Sequence, residues 1–468
     1  MEHRLNQYKK RLKKNHFLYD LSEGTEKECE TLGEKTYALT FAPVIFSYVT
    51  WILHEAYKKK IQRLYFLARD AKPMYEVAKF LKENNLLGFD IDIRYLRVSR
   101  YSLRIPEYHL QNEKCLDRIF LSGIDVSLYR ILKRADLTVD EMKQVSKELG
   151  YEKELHVVLN RKQILQLKEK AYELSHEGKL SLLKFIHTHS KQRFETTIGY
   201  LEQEGMLDDV SYAVVDSGWV GSIQKSLQNL LATKKPGIPL EGYYFGLYEL
   251  PIDIKDCVYH TYYFKPTSHI RRKTGFSNCL FEAIYSENCG MVKNYEKSET
   301  GFYPVLSDLE NPNAKSLKQN EAVLNRYLNQ VKQHPNEYRL FLKKQQKRNV
   351  KIIEKVLNLL MSRPTDWEAS YYGDYLFSDD LDDTHMKKTA NILSQKEIKD
   401  LRILSKILIS LGISKKVIHE SAWIEGTIVN GEENVKKNLF FARYAKLMTY
   451  LRLTIKMKKI RGYKCLKQ

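Results

Sequence analysis

The chain has 468 residues, 43% of them apolar and 12% aromatic, which is typical of a globular protein of two or three domains and excludes a low-complexity or fibrous one. Its net charge of +19 predicts an anionic partner: a phosphorylated substrate, an anionic membrane surface or a nucleic acid. The six cysteines form no Cys-x-x-Cys pair, which argues against zinc and disulfides and predicts reduced thiols in the cytoplasm.

The N-terminal segment predicts an arm and a buried helix. Residues 1–30 are polar and basic at their start, a composition that predicts a loosely held arm. They also lack the apolar segment of a signal peptide. Residues 36–58 predict a buried helix. Its apolar run, 41–53, is shorter than the roughly 20 residues needed to span a bilayer, so we expect the protein to remain in the cytoplasm.

A first strand–loop–helix unit follows. Residues 61–67 predict a strand, and residues 74–83 place apolar side chains on one face of a helix. The loop between them carries Arg69, Asp70 and Lys72. Arginine and lysine bind phosphate, and aspartate binds sugar hydroxyls or Mg²⁺.

The next segment predicts a strand and then a long helical region. Residues 90–98 alternate with period two and end at Ser99 and Arg100. Residues 107–205 contain little strand-like alternation and predict a helical insertion between two halves of a sheet. Helices are expected at 128–134, 139–149 and 164–185.

A second strand–loop–helix unit predicts the phosphate site. Residues 210–215 form an apolar, β-branched run, Asp216 follows it, and Gly218 and Gly221 predict a turn. Ser222 stands where a helix cap belongs. Backbone N–H groups at such a helix start bind phosphate, although two glycines equally suit a merely tight turn. The helix face is formed by Ile223, Leu227, Leu230 and Leu231.

Beyond this unit, residues 242–247 and 258–264 predict two further strands. Glu282 lies in the apolar sequence Leu-Phe-Glu-Ala. It is either a catalytic acid or a hydrogen-bonded structural one. Trp219 similarly either contacts the ligand or covers the core, and core packing is the preferred interpretation.

The C-terminal region, 301–468, is mainly helical, with helices expected over 316–362 and 394–411. The acidic stretch 378–383 is interpreted as a solvated turn rather than a metal site. Residues 436–468 are rich in lysine and arginine and contain no acid, which suits an anionic bilayer surface. The alternative is a helix that packs its apolar face on the body. That face comprises Phe440, Phe441, Tyr444, Leu447, Met448 and Leu451.

Three of the predicted strands end in polar loops. The carboxyl ends of neighbouring parallel strands line the ligand crevice of an open α/β sheet. If the three strands are neighbours, Arg69, Asp70, Arg100 and Asp216 converge on one site. The fold class is therefore α/β with an open parallel sheet, and the site suits a sugar that carries phosphate at both ends.

Four motifs carry a resemblance to a known family. They are Phe66-Leu-Ala-Arg-Asp70, Tyr95-Leu-Arg-Val-Ser-Arg100, Asp216-Ser-Gly-Trp-Val-Gly-Ser-Ile-Gln224 and Leu280-Phe-Glu-Ala283. Together they resemble bacterial polysaccharide-biosynthesis proteins that look like phosphoribosyltransferases. Members of this family often occur fused or adjacent to a haloacid-dehalogenase-type phosphatase. The similarity covers roughly residues 36–100 and 206–296.

The resemblance implies a type I phosphoribosyltransferase-like, Rossmann-like sheet in two parts, 31–106 and 206–300. It implies transfer of 5-phosphoribofuranose from phosphoribosyl pyrophosphate to a lipid-linked glycan of a capsule or other surface polysaccharide, with Mg²⁺ held by Asp70 and Asp216. The catalytic residues would be Arg69, Asp70, Arg100, Asp216 and Glu282. The donor would contact Lys72, Ser99, Ser217, Gly218, Trp219, Val220, Gly221, Ser222 and Gln224.

Two positions depart from the family pattern: Ser217 replaces a second acid, and Ala71 replaces a glycine. The chain also lacks the phosphatase motif, so a separate phosphatase is expected to act on the product. The alternatives are a nucleotide-sugar glycosyltransferase of the same pathway and a non-enzymatic basic scaffold at the membrane surface. Nucleic acid is not expected as a partner, because the basic runs lack interleaved stacking aromatics.

Overall fold

The computed structural model describes residues 1–121, 126–251, 256–308, 311–344, 347–378, 386–391, 393, 397, 421–431 and 434–459. The predicted acidic turn at 378–383 and the predicted helix at 394–411 lie almost wholly outside the described residues.

The N-terminal segment is helical and packed, so the predicted loose arm is wrong. Buried Leu12 and Leu18 join the main core, and the buried guanidinium of Arg4 pairs with Glu368. The predicted helix over 36–58 is two helices that meet at Thr40. The four helices are α1 (Glu2–Leu12), α2 (His16–Lys27), α3 (Leu32–Leu39) and α4 (Phe41–Lys59).

One stretch of the described chain, Leu32–Lys59, is long and apolar enough to cross a membrane by length and composition. In the fold, 94% of its most apolar window is buried. Its side chains are therefore occupied by contacts with the protein core.

A five-stranded, all-parallel sheet lies at the centre of the protein, in the order β2-β1-β3-β4-β5. The predicted Rossmann-like α/β class is confirmed at this level. The second strand is shorter than predicted, and the third begins later and continues to Trp219, so Gly218 lies in a strand rather than in a turn. The strands are β1 (Arg63–Leu67), β2 (Asp92–Leu96), β3 (Tyr212–Trp219), β4 (Leu240–Leu247) and β5 (Cys257–Phe264).

The strand order reverses between β1 and β3, because the chain places β2 on one side of β1 and β3 on the other. Ligands of open α/β sheets bind at such a point, outside the carboxyl ends of the strands. The pairing of β1 with β3 ends at Phe66 and Val215. By the same register Leu67, the last residue of β1, lies opposite Asp216, so Ser217 to Trp219 extend beyond the end of β1.

Helices after β1 and β2 begin at the same edge. These are α5 (Lys72–Glu83) and α6 (Arg100–Gln111). The region that follows is helical, as predicted, and residues 105–186 contribute a separate hydrophobic cluster. The expected helix over 164–185 is two helices. The region contains α7 (Cys115–Ile119), α8 (Leu128–Lys133), α9 (Val139–Glu148), α10 (Arg161–His176) and α11 (Leu182–Gln203).

Helices cover both faces of the sheet. The side chains of β1 point alternately to the two faces, and all of them are buried. Leu64 and Phe66 belong to the cluster that contains α4 and α5. Tyr65 and Leu67 belong to the opposite cluster, which contains α11 and the helix after β3, α12 (Ser222–Leu231). The site at the carboxyl edge is thus supported by packed helices on both sides.

The remaining chain adds helices, among them three over the predicted helical stretch 316–362, and a hairpin that the sequence patterns did not predict. The hairpin is β6 (Val292–Ser298) with β7 (Gly301–Leu306). A two-residue pair, β8 (Leu376–Phe377) with β9 (Lys387–Lys388), follows later. The helices are α13 (Ile270–Thr274), α14 (Asn278–Tyr285), α15 (Ala314–Gln333), α16 (Pro335–Lys343), α17 (Lys347–Leu357, continued by a π-helical turn, Asn358–Ser362), α18 (Asp366–Gly373), α19 (Ile424–Asn430) and α20 (Val435–Lys459).

Candidate active site

Two aspartates from neighbouring strands meet at the strand-order reversal. Asp70 lies in the turn between β1 and α5, and Asp216 lies in β3. Ser217 joins them: its Oγ donates to Asp70 Oδ2 at 3.0 Å, and its backbone N–H donates to Asp216 Oδ1 at 2.8 Å. The predicted convergence of these two loops is therefore present in the fold.

Asp216 is 8% exposed and is fixed through its backbone as well. The hydroxyl of Tyr48, on α4, donates to the Asp216 carbonyl at 2.9 Å. Burial and the neighbouring charge of Asp70 raise the pKa of Asp216 to about 7. A buried acid beside a second acid attracts either a proton or a cation.

Glu282 is the third acid of the cluster. It lies on α14, and its Oε1 accepts a hydrogen bond from Nε1 of Trp219. Burial and the charges of Asp70 and Asp216 raise the pKa of Glu282 well above its usual range. Titratable groups shifted in this way concentrate at functional sites, so Glu282 belongs to the same candidate site.

The predicted cations lie around this cluster. Arg100 is the exposed first residue of α6, and its charge partly offsets the rise in pKa at both Asp216 and Glu282. Arg69 Nη1 donates to the carbonyl of Cys289 at 3.4 Å, in the loop after α14. Lys72 pairs with Glu76 at 2.6 Å, within α5. Of these cations, Arg100 acts electrostatically on the buried acids.

The loop after α14 is held by a network that the sequence reasoning missed. Glu287 accepts from the Tyr95 hydroxyl at 2.7 Å and pairs with Arg97 at 3.0 Å. The thiol of Cys289 donates to the same carboxylate at 3.0 Å. These contacts position the loop whose Cys289 carbonyl accepts a hydrogen bond from Arg69. In the sequence, the motif Tyr95-x-Arg97 was the available indication of this network.

The turn from β3 into α12 requires its glycines for steric reasons. Gly218 has a φ of +117°, and a Cβ there would lie 2.4 Å from the Gly246 carbonyl oxygen. Gly221 has a φ of +69°, and its Cβ would lie 2.5 Å from the ring of Tyr259. Gly221, rather than the predicted Ser222, is the capping position of α12. Val220, between them, is 36% exposed.

Arg104 is a site residue that the sequence reasoning missed. Its Nη2 donates to Ser222 Oγ at 3.1 Å, at the first turn of α12. Its Nε is buried and has no hydrogen-bond partner among the described residues. Burial and the charges of Arg100 and Arg118 lower the pKa of Arg104 to about 10. The i, i+4 spacing of Arg100 and Arg104 on α6 was the available signal.

Three of the predicted donor contacts have side chains that are engaged in contacts within the protein. Ser99 caps α6, and its Oγ donates to the Val292 carbonyl at 2.6 Å. The buried amide of Gln224 donates to the Leu240 carbonyl at 2.6 Å and accepts from the Tyr244 hydroxyl at 2.8 Å. Trp219 is 8% exposed among aromatic rings, which agrees with the preferred interpretation of core packing.

Among the described residues, no group of three histidine, cysteine, aspartate or glutamate side chains has the arrangement of a metal site. Magnesium commonly uses only one or two carboxylates and completes its shell with water and substrate phosphate. The pair Asp70 and Asp216 is of that kind.

No protein-family model matches this chain, and no curated protein matches it. What can be inferred about function therefore comes from the chemistry of the site.

Proposed function

We propose that the protein is a phosphoribosyltransferase of the type I kind, which transfers 5-phosphoribofuranose from phosphoribosyl pyrophosphate to a lipid-linked glycan of a surface polysaccharide. The observation that carries the proposal is the pairing of Asp70 and Asp216 through Ser217, beside the first turn of α12. The carboxylates of Asp70 and Asp216, which could bind ribose hydroxyls and Mg²⁺, then lie next to backbone N–H groups that could bind phosphate.

The two departures from the family pattern are compatible with this function. Ser217 replaces a second acid, but it hydrogen-bonds Asp70, which supplies a second carboxylate from the neighbouring loop. Ala71 replaces a glycine, but its φ of −85° is accessible to any L-residue.

The 5-phosphate would bind at the start of α12. Backbone N–H groups and the positive end of the helix dipole favour an anion there. Arg104 adds a guanidinium that contacts Ser222 and has a buried, unpartnered Nε among the described residues. A phosphate would satisfy that donor and compensate the mutually repelling charges of Arg100 and Arg104.

Asp70 and Asp216 are the residues that would hold Mg²⁺. They suit it because two acids close together, one of them buried, need a compensating cation. When bound, the ion would neutralise charge on the pyrophosphate.

In the proposed reaction, an acceptor hydroxyl oxygen bonds to the anomeric carbon of the ribose, and the bond from that carbon to the pyrophosphate oxygen breaks. Pyrophosphate leaves with the bonding electron pair. Arg100 and Arg69 would neutralise its charge. The hydroxyl proton would pass to a carboxylate of the acid cluster formed by Asp70, Asp216 and Glu282.

The product would retain its 5-phosphate, so a separate phosphatase is expected to act next. Because the acceptor is anchored to lipid, we expect the protein to work at the cytoplasmic face of the membrane. The same site could serve a nucleotide-sugar donor, and the identity of the released product separates these two reactions.

The test is incubation of the protein with Mg²⁺, phosphoribosyl pyrophosphate and a synthetic lipid-linked acceptor, read by mass spectrometry. We expect a mass gain equal to one phosphoribosyl group and release of pyrophosphate. Asp216→Asn should abolish transfer, whereas Asp90→Asn should not, because the Asp90 side chain is 95% exposed and distant from the strand-order reversal. Transfer by Asp216→Asn at the wild-type rate would refute the proposed site.

A further inference from the structure

Helix α20 exposes a continuous apolar stripe. Six of its large apolar side chains are between 37% and 66% exposed, at positions i, i+4, i+7, i+8, i+11 and i+15, which share one face of a helix. Exposed apolar residues occur singly on most protein surfaces, but a contiguous row of six marks an interaction site. The stripe consists of Phe440, Tyr444, Leu447, Met448, Leu451 and Ile455.

A different side of α20 attaches the helix to the body. The ring of Tyr450 stacks on Tyr248 with centroids 4.9 Å apart and planes 11° apart. Lys446 donates to the Phe276 carbonyl at 3.1 Å, and Thr454 accepts from Lys273 at 3.3 Å. The alternative that the sequence left open, a helix packed on the body with a solvated basic face, is therefore present in part: α20 packs on the body, but through this other side, and the apolar stripe faces outward.

The exposed side of α20 is also strongly basic. Six of its lysine and arginine side chains are exposed, and Val435–Lys459 contains no aspartate or glutamate. Five of the six are lysines at the two ends of the stripe, two before Phe440 and three after Ile455. Long cationic side chains in such positions reach phosphate headgroups while the apolar residues enter the acyl region. The exposed cations are Lys436, Lys437, Arg452, Lys456, Lys458 and Lys459.

Two basic clefts lie on elements that neighbour α20, and one of them is walled in part by α13, which packs against α20. They have volumes of about 440 and about 690 Å³ and share Lys355 and Asn358 in their walls. The larger cleft is lined by Arg363, adjacent to Ser362, whose carbonyl accepts a hydrogen bond from Arg443 of α20. Positive charge therefore continues from the helix onto the neighbouring surface.

We propose that the exposed face of α20 binds the surface of an anionic lipid bilayer, with the helix lying in the plane of the interface. Apolar residues with cationic flanks match such a surface in both polarity and charge. A second copy of the chain is a poorer occupant. A two-fold interface through this face would oppose the six cations to the same six of the partner.

This binding mode does not depend on the proposed reaction, but it would bring the candidate site close to a lipid-linked acceptor. Tyr248, on which α20 stacks, also contacts the ring of Trp219, whose indole bonds Glu282. The body-facing side of α20 thus lies only a few side chains from the acid cluster.

The test is sedimentation of the full chain with vesicles of phosphatidylcholine, with and without phosphatidylglycerol. We expect binding to the anionic vesicles and at least about tenfold weaker binding by Phe440→Asp with Ile455→Asp. The matched control is Leu165→Asp with Leu340→Asp, whose side chains are 50% and 53% exposed elsewhere. Its binding should equal that of the wild type.

A second variant keeps the apolar stripe and reverses charge: Lys456→Glu with Lys459→Glu should lose binding to anionic vesicles. Mass in solution is measured by light scattering for every variant. Equal loss in the Leu165/Leu340 control, or equal binding to neutral vesicles, would overturn the proposal. So would a wild-type dimer that binds no vesicles and dissociates in the Phe440/Ile455 variant, because a second copy would then cover the stripe.

Discussion

Nε1 of Trp219 donates a hydrogen bond to Oε1 of Glu282, and this contact connects the aromatic core to the acid cluster. The Trp219 ring packs against Phe264, Phe276 and Phe281, so the indole donor is fixed by the core. The core thereby holds a carboxyl group in a place where its ionised form is unfavourable.

The first prediction is that Glu282→Gln stabilises the protein above neutral pH. A glutamate in the unfolded chain titrates near about pH 4.3, whereas burial raises the pKa of Glu282 in the folded state. The folded protein therefore binds an extra proton between these values, and its stability falls as pH rises through that window. The substituted amide carries no charge and can still accept the indole N–H.

Urea unfolding midpoints measured at about pH 5 and about pH 8 provide the check. The excess stability of the variant over the wild type should be larger at the higher pH than at the lower, by an amount corresponding to about 1–3 kcal/mol. Glu83→Gln is the control, because the Glu83 side chain is 61% exposed. Parallel pH curves for wild type and Glu282→Gln would contradict the burial argument.

The second prediction concerns the phosphate end of the donor. Arg104→Gln should raise KM for phosphoribosyl pyrophosphate by about tenfold or more and change kcat less, because a charged hydrogen bond contributes about 1.5–3 kcal/mol. Arg104→Lys keeps the charge without the planar fork and should recover part of the affinity.

The control for this prediction is Arg339→Gln on α16, far along the chain and bonded only loosely, at 3.4 Å, to the Asn85 carbonyl. Calorimetric titration with the donor measures affinity without turnover. Unchanged donor affinity in Arg104→Gln would remove this residue from the site.

The third prediction separates folding from binding at the glycine turn. Gly221→Ala should destabilise the protein, because its φ is +69° and the new Cβ would meet the Tyr259 ring. The left-handed conformation alone costs an L-residue about 1–2 kcal/mol. Ser222→Ala should leave the unfolding midpoint nearly unchanged and weaken donor binding.

Thermal unfolding and donor titration of both variants provide the measurement. Gly221→Val, an obvious probe of a phosphate loop from sequence alone, would confuse the two effects. Equal stability of Gly221→Ala and Ser222→Ala would show that the turn tolerates a side chain.

Local patterns were sufficient to predict the sheet and the meeting of Asp70 with Asp216. Apolar runs that end in polar residues mark the carboxyl ends of buried parallel strands, and such ends share one edge. The strand order could not be read from these runs, and neither could the extension of β3 to Trp219.

The direction of the side chains could not be predicted from the sequence. Ser99 and Gln224 follow site residues closely in sequence, but their side chains turn to backbone carbonyls of Val292 and Leu240, which only the tertiary fold brings near. Arg104 was missed for the same reason: it lies one helical turn beyond Arg100 and reaches Ser222 across a contact between helices. The spacing of residues along a chain identifies which side chains share a face of a helix, but not which other elements of the fold pack against that face.

The final prediction tests the N-terminal helices, which composition alone suggested were a loose arm. Arg4 and Glu368 are 8% and 0% exposed, with Nη2 and Oε2 2.7 Å apart. Arg4→Ala would leave a buried carboxylate uncompensated and should lower stability by about 3–5 kcal/mol, whereas Arg4→Lys keeps the charge and should lose less. Lys27→Ala is the control, because its 69% exposed side chain pairs with Glu23 at 3.5 Å and should contribute about 0–1 kcal/mol. Urea unfolding midpoints measure all three, and an equally small shift for Arg4→Ala and Lys27→Ala would mean that α1 is not part of the folded core.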